Sequence, residues 1–342
     1  MHSSVSPRQF IRTDLSISAR ELTRFIKQRA ALEGFDKVGI ARAEALSAEA
    51  VRLNEWLNRG YHGNMSWMSR NTELRTDPRK LFPGARSVVV VAKNYYTADQ
   101  HSDNSDTGKV SRYAWGDDYH NVVGAKLRSM LAGIKEQAPE VEGKVCLDIQ
   151  PMMDKAWAVR AGLGWLGKHT NLITPELGSW VFIGELLLNV ELDYDDDLIE
   201  DHCGTCTLCI DSCPTQAITE PYVLDSTKCI SYATIELRED ELPAHIRDHL
   251  QGWIYGCDIC QDVCPWNRFA QETDEVRFSP RPGNVNASLI DVAEMARDDY
   301  VERFRGSAMK RAKLSGLQRN ARALQSSQNE STKSHETTRN NF

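Results

Sequence analysis

Apolar positions along the chain alternate between helical and strand spacing. Leu22, Phe25, Ile26 and Ala30 recur at the period of one helix face, and Gly34 offers a stop. DKVGIAR reads as a short strand. Ser47 is expected to cap the helix AEAVRLNEWLNR, which Gly60 closes. RSVVVVAKNYY (residues 86–96) has the β-branched density of a buried strand, and TADQHSDNSDTG reads as a polar loop. A helix is predicted from Tyr119 to Gln137, followed by a strand over KVCLDI and a helix over MDKAWAVRAG. TNLIT and SWVFIGELLL are strand-like and end near Asn189. These elements lack a regular βαβ period, so the expected class is α+β. Beyond Pro280 the pattern gives one helix over SLIDVAEMARDD, and then a stripe of Met309, Ala312, Leu317, Ala321 and Leu324.

Composition narrows the class. The chain of 342 residues is 41% hydrophobic and 26% charged, enough to build a sizeable core. No apolar run approaches the roughly 18 residues of a membrane span. The first residues, MHSSVSPRQF, lack a secretory apolar core. Nine cysteines in that setting point to metal or redox use in a reducing cytoplasm rather than to disulfides. The net charge of −7 conceals an asymmetry: residues 303–322 hold seven Lys or Arg and no Asp or Glu. The acid run at residues 195–197 reads as a solvated loop.

Eight cysteines fall into a doubled pattern. Cys203, Cys206, Cys209 and Cys213-Pro214 follow the C-x2-C-x2-C-x3-C-P spacing of bacterial ferredoxins. A second set is Cys229, Cys257, Cys260 and Cys264-Pro265. By the two-cluster rule, in which the fourth cysteine of each run serves the other centre, Cys203, Cys206, Cys209 and Cys264 hold one 4Fe–4S cluster. Cys213, Cys229, Cys257 and Cys260 hold the other. Paired zinc sites are the competing reading, but three cysteines within seven residues make poor zinc spacing. Cys146, the ninth, is expected to be a small core residue. Two clusters need only a chain of ferredoxin size, so the larger domain before them points to an enzyme that receives the electrons.

In KVCLDIQP, strand alternation would set Cys146, Asp148 and Gln150 on one face. An acid on an apolar strand must be hydrogen-bonded, paired or functional, and apolar neighbours would raise its pKa toward that of a general acid. The residues alone leave a structural and a catalytic role for Asp148 equally open.

The runs LDIQPMMDKAWAVRAGLGWLGKHTNLITPELGSWVFIGELLLN, SRYAWGDDYHNVV and FRGSAMKRAKLSGLQRNA, together with the double cysteine set, resemble the epoxyqueuosine reductases from about residue 22 to 323. The resemblance implies a cobalamin-binding domain over 14–195, similar to that of reductive dehalogenases, and a ferredoxin-like module over 196–275. A basic helical segment over 276–324 would pack on the core and contact tRNA, with a flexible lead-in at 1–13 and a disordered tail at 325–342. It implies removal of the epoxide oxygen from epoxyqueuosine at the tRNA wobble position, the last step of queuosine formation, by two electrons and two protons. Asp148 becomes the proton donor. Arg75, Ser111, His169, Asn171, Leu172, Ile183, Ser226, Cys257 and Asp258 become cofactor contacts beside Asp148. Ser111 stands where some relatives carry cysteine near cobalt. Tyr113, Trp115 and His120 are pocket candidates that suit a core equally well. AGLGWLGK lacks phosphate-loop spacing and reads as a tight turn against cofactor or substrate.

Lys310, Arg311, Lys313, Arg319 and Arg322 are expected to point outward from the basic segment onto phosphates. The implied partners are tRNAs for aspartate, asparagine, histidine and tyrosine and an electron donor; the implied form is a cytoplasmic monomer with no membrane contact. Two other readings use the same residues: a corrinoid reductase of a small molecule, and a dicluster electron carrier.

Overall fold

The structure, a computed structural model, describes the backbone of residues 17–339 and side chains to residue 326. The lead-in expected at residues 1–13 lies outside the described residues. The strands in chain order are β1 (Lys37–Arg42), β2 (Ser87–Asn94), β3 (Thr107–Val110), β4 (Gly143–Cys146), β5 (Trp165–Leu166), β6 (Leu172–Ile173) and β7 (Val181–Leu188). The shorter β8 (Ile218–Glu220), β9 (Val223–Leu224), β10 (Trp253–Tyr255) and β11 (Asn286–Ser288) follow. The class is α+β.

β1, β2, β7 and β4 form one antiparallel sheet in that spatial order. Every residue of β2 is buried, because both sheet faces are covered. Val89 and Val91 join Leu22, Ile26, Leu127 and Ile134, from the helices Ala19–Leu32 and Tyr119–Gln137, on one side. Val88 and Val90 meet Trp157 and Ala158, from the helix Asp154–Arg160, on the other. Each fully buried valine contributes on the order of 2 kcal/mol relative to exposure. Ser18 and Glu21 close a capping box at the first helix, and Gly34 ends it at φ +80°.

A third core gathers distant parts of the chain. β3 pairs in parallel with β10 from the cysteine block and antiparallel with β11 from the C-terminal part. Around this sheet pack Trp115, Ile230, Trp253, Tyr255, Phe304 and the predicted stripe, whose five members are all buried.

Four expectations are corrected. Ser47 is the first helical residue rather than the cap, which is Leu46 without a side-chain bond. The strand over KVCLDI stops at Cys146, and Asp148 takes a left-handed φ of +51° in the turn beyond it, so the alternation that grouped Cys146 with Asp148 ends there. SLIDVAEMARDD splits into the helices Leu289–Glu294 and Arg297–Arg303, because Met295 turns to extended backbone. Residues 325–339 of the segment expected as a disordered tail continue the helix Lys313–Arg339, and its last three residues lie outside the described residues. Residues 325–339 contain no Gly or Pro, so helix already nucleated on the third core propagates through them.

Candidate active site

The two cysteine runs each fold as a loop entering a single short helix, Leu208–Asp211 in the first and Ile259–Asp262 in the second. Cys203, Cys206, Cys209 and Cys264 line one cavity of about 220 Å3, walled by His169, His202 and Trp266. Lys168 Nζ donates to the carbonyls of Gly204 (2.6 Å) and Cys206 (2.9 Å), and Asp201 accepts the Cys203 N–H at 2.7 Å, so the loop is held from both sides. The other four thiols also face one another. Burial pushes Cys229, Cys257 and Cys260 up, and nearby charges add to it: Cys213 acts on Cys229, Cys229 and Cys260 act on Cys257, and Cys229, Asp258, Cys209 and Cys213 act on Cys260. Among the described residues no three His, Cys, Asp or Glu side chains close on a single-ion site. The first four thiols line a space for a group of several atoms, which suits a cluster. Cys146 is fully buried with its thiol pushed up to about 12 by burial, as suits a core residue.

Asp148 stands on its left-handed turn with the Leu147 N–H donating to Gln150 Oε1 (2.8 Å) beneath it. A non-glycine residue in that region is costly and persists where surrounding contacts enforce it. Tyr119 Oη donates to Asp148 Oδ2, and the Tyr119 ring is sandwiched between His120 (4.0 Å) and Phe182 (4.4 Å). His120 Nε2 lies 3.5 Å from Asp148 Oδ2. Burial pushes the Asp148 carboxyl up, but hydrogen bonds from His120 and Tyr119, with the charges of His120 and Lys155, hold it below its ordinary value. The sequence expectation had the opposite sign, since apolar surroundings were weighed without these partners. Burial lowers His120, yet Asp118 and Asp148 raise it to about 9. At neutral pH the imidazole is therefore cationic, its Nε2 3.5 Å from a charged Asp148.

The other expected contacts divide. Arg75 is half-buried, gives one N–H to the Trp67 carbonyl at 3.1 Å and keeps its Nε without a partner, close enough to Asp148 and Asp154 to feel both charges. Lys155 donates to Asn171 Oδ1 (2.8 Å) and the Thr170 carbonyl (3.0 Å), and feels Cys260, Asp154 and Asp148, so it links the second thiol set to the acid turn. Ile183 is partly buried against the core that holds the fully packed Leu172. His169 lines the first cysteine cavity: Nδ1 accepts the Asn171 N–H (3.1 Å), and Nε2 is buried without a partner. Ser111 and Asp258 are buried against each other, and Asp258 also accepts the Arg112 N–H at 2.7 Å. Ser226 is buried, its N–H bound to the Tyr61 carbonyl. Trp115 is core, donating to the Val110 carbonyl, whereas Tyr113 sits within reach of the Asp148 charge. The glycines of AGLGWLGK press on this chain itself: a Cβ at Gly164 would lie 2.0 Å from the Ile173 carbonyl oxygen. Tyr119, Asp154, Lys155 and Glu185 were not singled out from sequence. Glu185 carried a usable signal, an acid inside the apolar run SWVFIGELLL.

On the basic segment, Arg311, Lys313 and Arg322 are exposed and Lys310 is half-buried. Arg311 forms a two-pronged pair with Glu236 (2.7 and 2.8 Å) and lies over the Trp67 ring at 4.8 Å. Arg319 points inward, correcting the expectation. It donates to the carbonyls of Ala233, Leu237 and Glu239. These lie at and beyond the end of the helix Ile230–Ile235, where backbone carbonyls lack helical donors.

Two family models match the chain: "4Fe-4S double cluster binding domain" over residues 202–267, and "Epoxyqueuosine reductase QueG, DUF1730" over residues 75–149. An epoxyqueuosine reductase of Synechocystis sp. is 50% identical over 275 residues, covering 80% of this chain and 94% of its own. That of Cellulophaga algicola is 46% identical, covering 86% and 95%. A crystal structure of an epoxyqueuosine reductase with an epoxyqueuosine-modified tRNA-Tyr stem loop superposes at TM-score 0.84, with 30% identity, over 90% of this chain and 81% of that one. The Bacillus subtilis enzyme, with its aspartate-bearing catalytic loop swung out of the active site, gives 0.83 at 29% identity, over 90% and 82%.

Proposed function

The chain belongs to the epoxyqueuosine reductases and reduces epoxyqueuosine in tRNA to queuosine, and we propose that Asp148 delivers the proton that lets the epoxide oxygen leave. The reaction takes up two electrons and two protons, and an unprotonated alkoxide is a poor leaving group. The observation that carries the reading is the turn at Asp148, which sets one carboxylate against the cationic His120 and the Tyr119 hydroxyl. Asp148 is 59% exposed at the open side of this group, whereas His120 is 27% exposed behind it. A proton held on the imidazole thus passes outward through Asp148, which stays charged between turnovers and draws on His120 when substrate arrives.

Cobalamin is the proposed reactive cofactor. The unpartnered Arg75 Nε fits an acceptor of its periphery, Asn171 and Ile183 offer a polar and an apolar contact, and Lys155 would sit between it and the second cluster. Leu172 packs in the same core as Ile183 and backs that contact, and His169 belongs with the first cluster. When bound, cobalamin supplies low-valent cobalt chemistry, and the two 4Fe–4S clusters supply electrons singly. In this reading residues 14–195 carry the reaction, 196–275 the clusters, and Lys310, Arg311, Lys313 and Arg322 meet the anticodon stem loop of the tRNAs for aspartate, asparagine, histidine and tyrosine. The protein acts as a cytoplasmic monomer served by a separate electron donor.

Anaerobically reconstituted protein is expected to bind cobalamin near one per chain and to convert epoxyqueuosine in tRNA from a strain lacking the activity. Asp148→Asn is expected to keep both cofactors and lose about a hundredfold or more in turnover. Full turnover by that variant would remove Asp148 from the reaction.

A further inference from the structure

Glu185, on β7, lies directly opposite Cys146 of β4 in the sheet register, two residues before the Asp148 turn. Its side chain is fully buried, and neither carboxylate oxygen has a hydrogen-bond partner among the described residues. Asp154, the first residue of the helix packed on this side of the sheet, has Oδ1 buried and equally unpartnered. Two unpaired carboxylates side by side in an apolar wall are prohibitively costly, whereas a carboxyl donating to a carboxylate satisfies both. The other titratable groups facing the pair are Cys146 and Asp148 from the β4 turn, Lys155 from the helix and Arg75 from the helix Thr72–Thr76.

Resting on the reading of Asp148 as proton deliverer, we propose that Asp154 and Glu185 share one proton and act as positioning residues that reload Asp148, supplying the second proton of each turnover. In that transfer the O–H bond of the shared proton breaks, an O–H bond forms on Asp148, and no electrons move. As that proton leaves, one from solvent replaces it at Asp154, which is only partly buried, so the pair does not stand doubly charged. The order of influence supports the relay. Burial is the main cause raising both acids, Asp154 to about 6. After it, the charge weighing most on Glu185 is that of Asp154, and the charge weighing most on Asp154 is that of Asp148.

Infrared difference spectra of the cluster-loaded protein without substrate are expected to show a protonated carboxyl at neutral pH, absent from Glu185→Gln. With tRNA substrate, Glu185→Gln and Asp154→Asn are expected to lower kcat about tenfold or more while KM stays unchanged. The alkaline limb of the Glu185→Gln profile should move to lower pH, and small buffer acids should restore part of its rate; Asp154→Glu should restore Asp154→Asn. Wild-type protein without the carboxyl band, or variants with wild-type kcat and pH profile, would overturn the proposal. If Glu185→Gln does not fold, the wild-type spectrum and Asp154→Asn decide. A wild type that shows the band but converts no tRNA condemns the functional reading and leaves the shared proton standing.

Discussion

His120 Nδ1 lies 2.7 Å from Asp118 Oδ1 while its Nε2 lies 3.5 Å from Asp148 Oδ2, so one imidazole is clasped between two carboxylates. Its pKa rises from 6.5 to about 9. A group raised on folding stabilises fully below its unfolded value and loses that contribution as pH climbs through its folded value. Melting temperature is therefore expected to fall between about pH 6.5 and 9, and the His120→Asn profile should be flatter across that window. Turnover should decline over the same range, because the imidazole then arrives without its proton. Thermal melts and a rate profile on the two proteins check both expectations.

Arg319 and Arg322, three positions apart, should fail in different ways. Arg319→Ala strips donors from two buried carbonyls and a third that is partly buried, and is expected to cost about 3 kcal/mol of stability, read by urea denaturation. Arg322→Ala removes one bond to the Ala293 carbonyl from an exposed side chain. It should leave stability nearly unchanged while lowering the salt dependence of tRNA binding by about one unit of slope.

Cys213 lies in the first cysteine run but faces Cys229 of the second set. Cys213→Ser is expected to remove about half the iron and to leave the signature of the cluster held by Cys203, Cys206, Cys209 and Cys264. Iron analysis with paramagnetic resonance distinguishes this from loss of the sequence-adjacent set.

Gly164→Ala forces a Cβ to within 2.0 Å of the Ile173 carbonyl oxygen, a backbone atom that cannot swing aside. A loss of about 2 kcal/mol or more of unfolding free energy is expected by denaturant titration, with the cysteine cavity disturbed beside it through Ile173 and His169.

What the sequence disclosed depended on the range of the interaction that decides each feature. Cysteine spacing is local, so the gathering of Cys203, Cys206, Cys209 and the distant Cys264 around one cavity was legible. The stripe from Met309 to Leu324 was legible too, since period and apolarity suffice to bury it. Asp148 stood out as an acid in an apolar run. Its electrostatics did not, because Tyr119 and His120 reach it from a helix almost thirty positions earlier, and their bonds reverse the effect of burial. Arg319 misled for a similar reason: helical periodicity puts it beside the stripe, but the carbonyls that draw it inward belong to the end of a helix some eighty residues away.

β3, β10 and β11 join three remote stretches of chain in a single small sheet. The cysteine block is consequently soldered to the chain before and after it rather than plugged in. A cysteine module fixed by main-chain pairing is expected to keep its distance from the domain before it during turnover. Encounter with a partner is left to the two outer ends of the circuit, where electrons enter and where the nucleic acid departs.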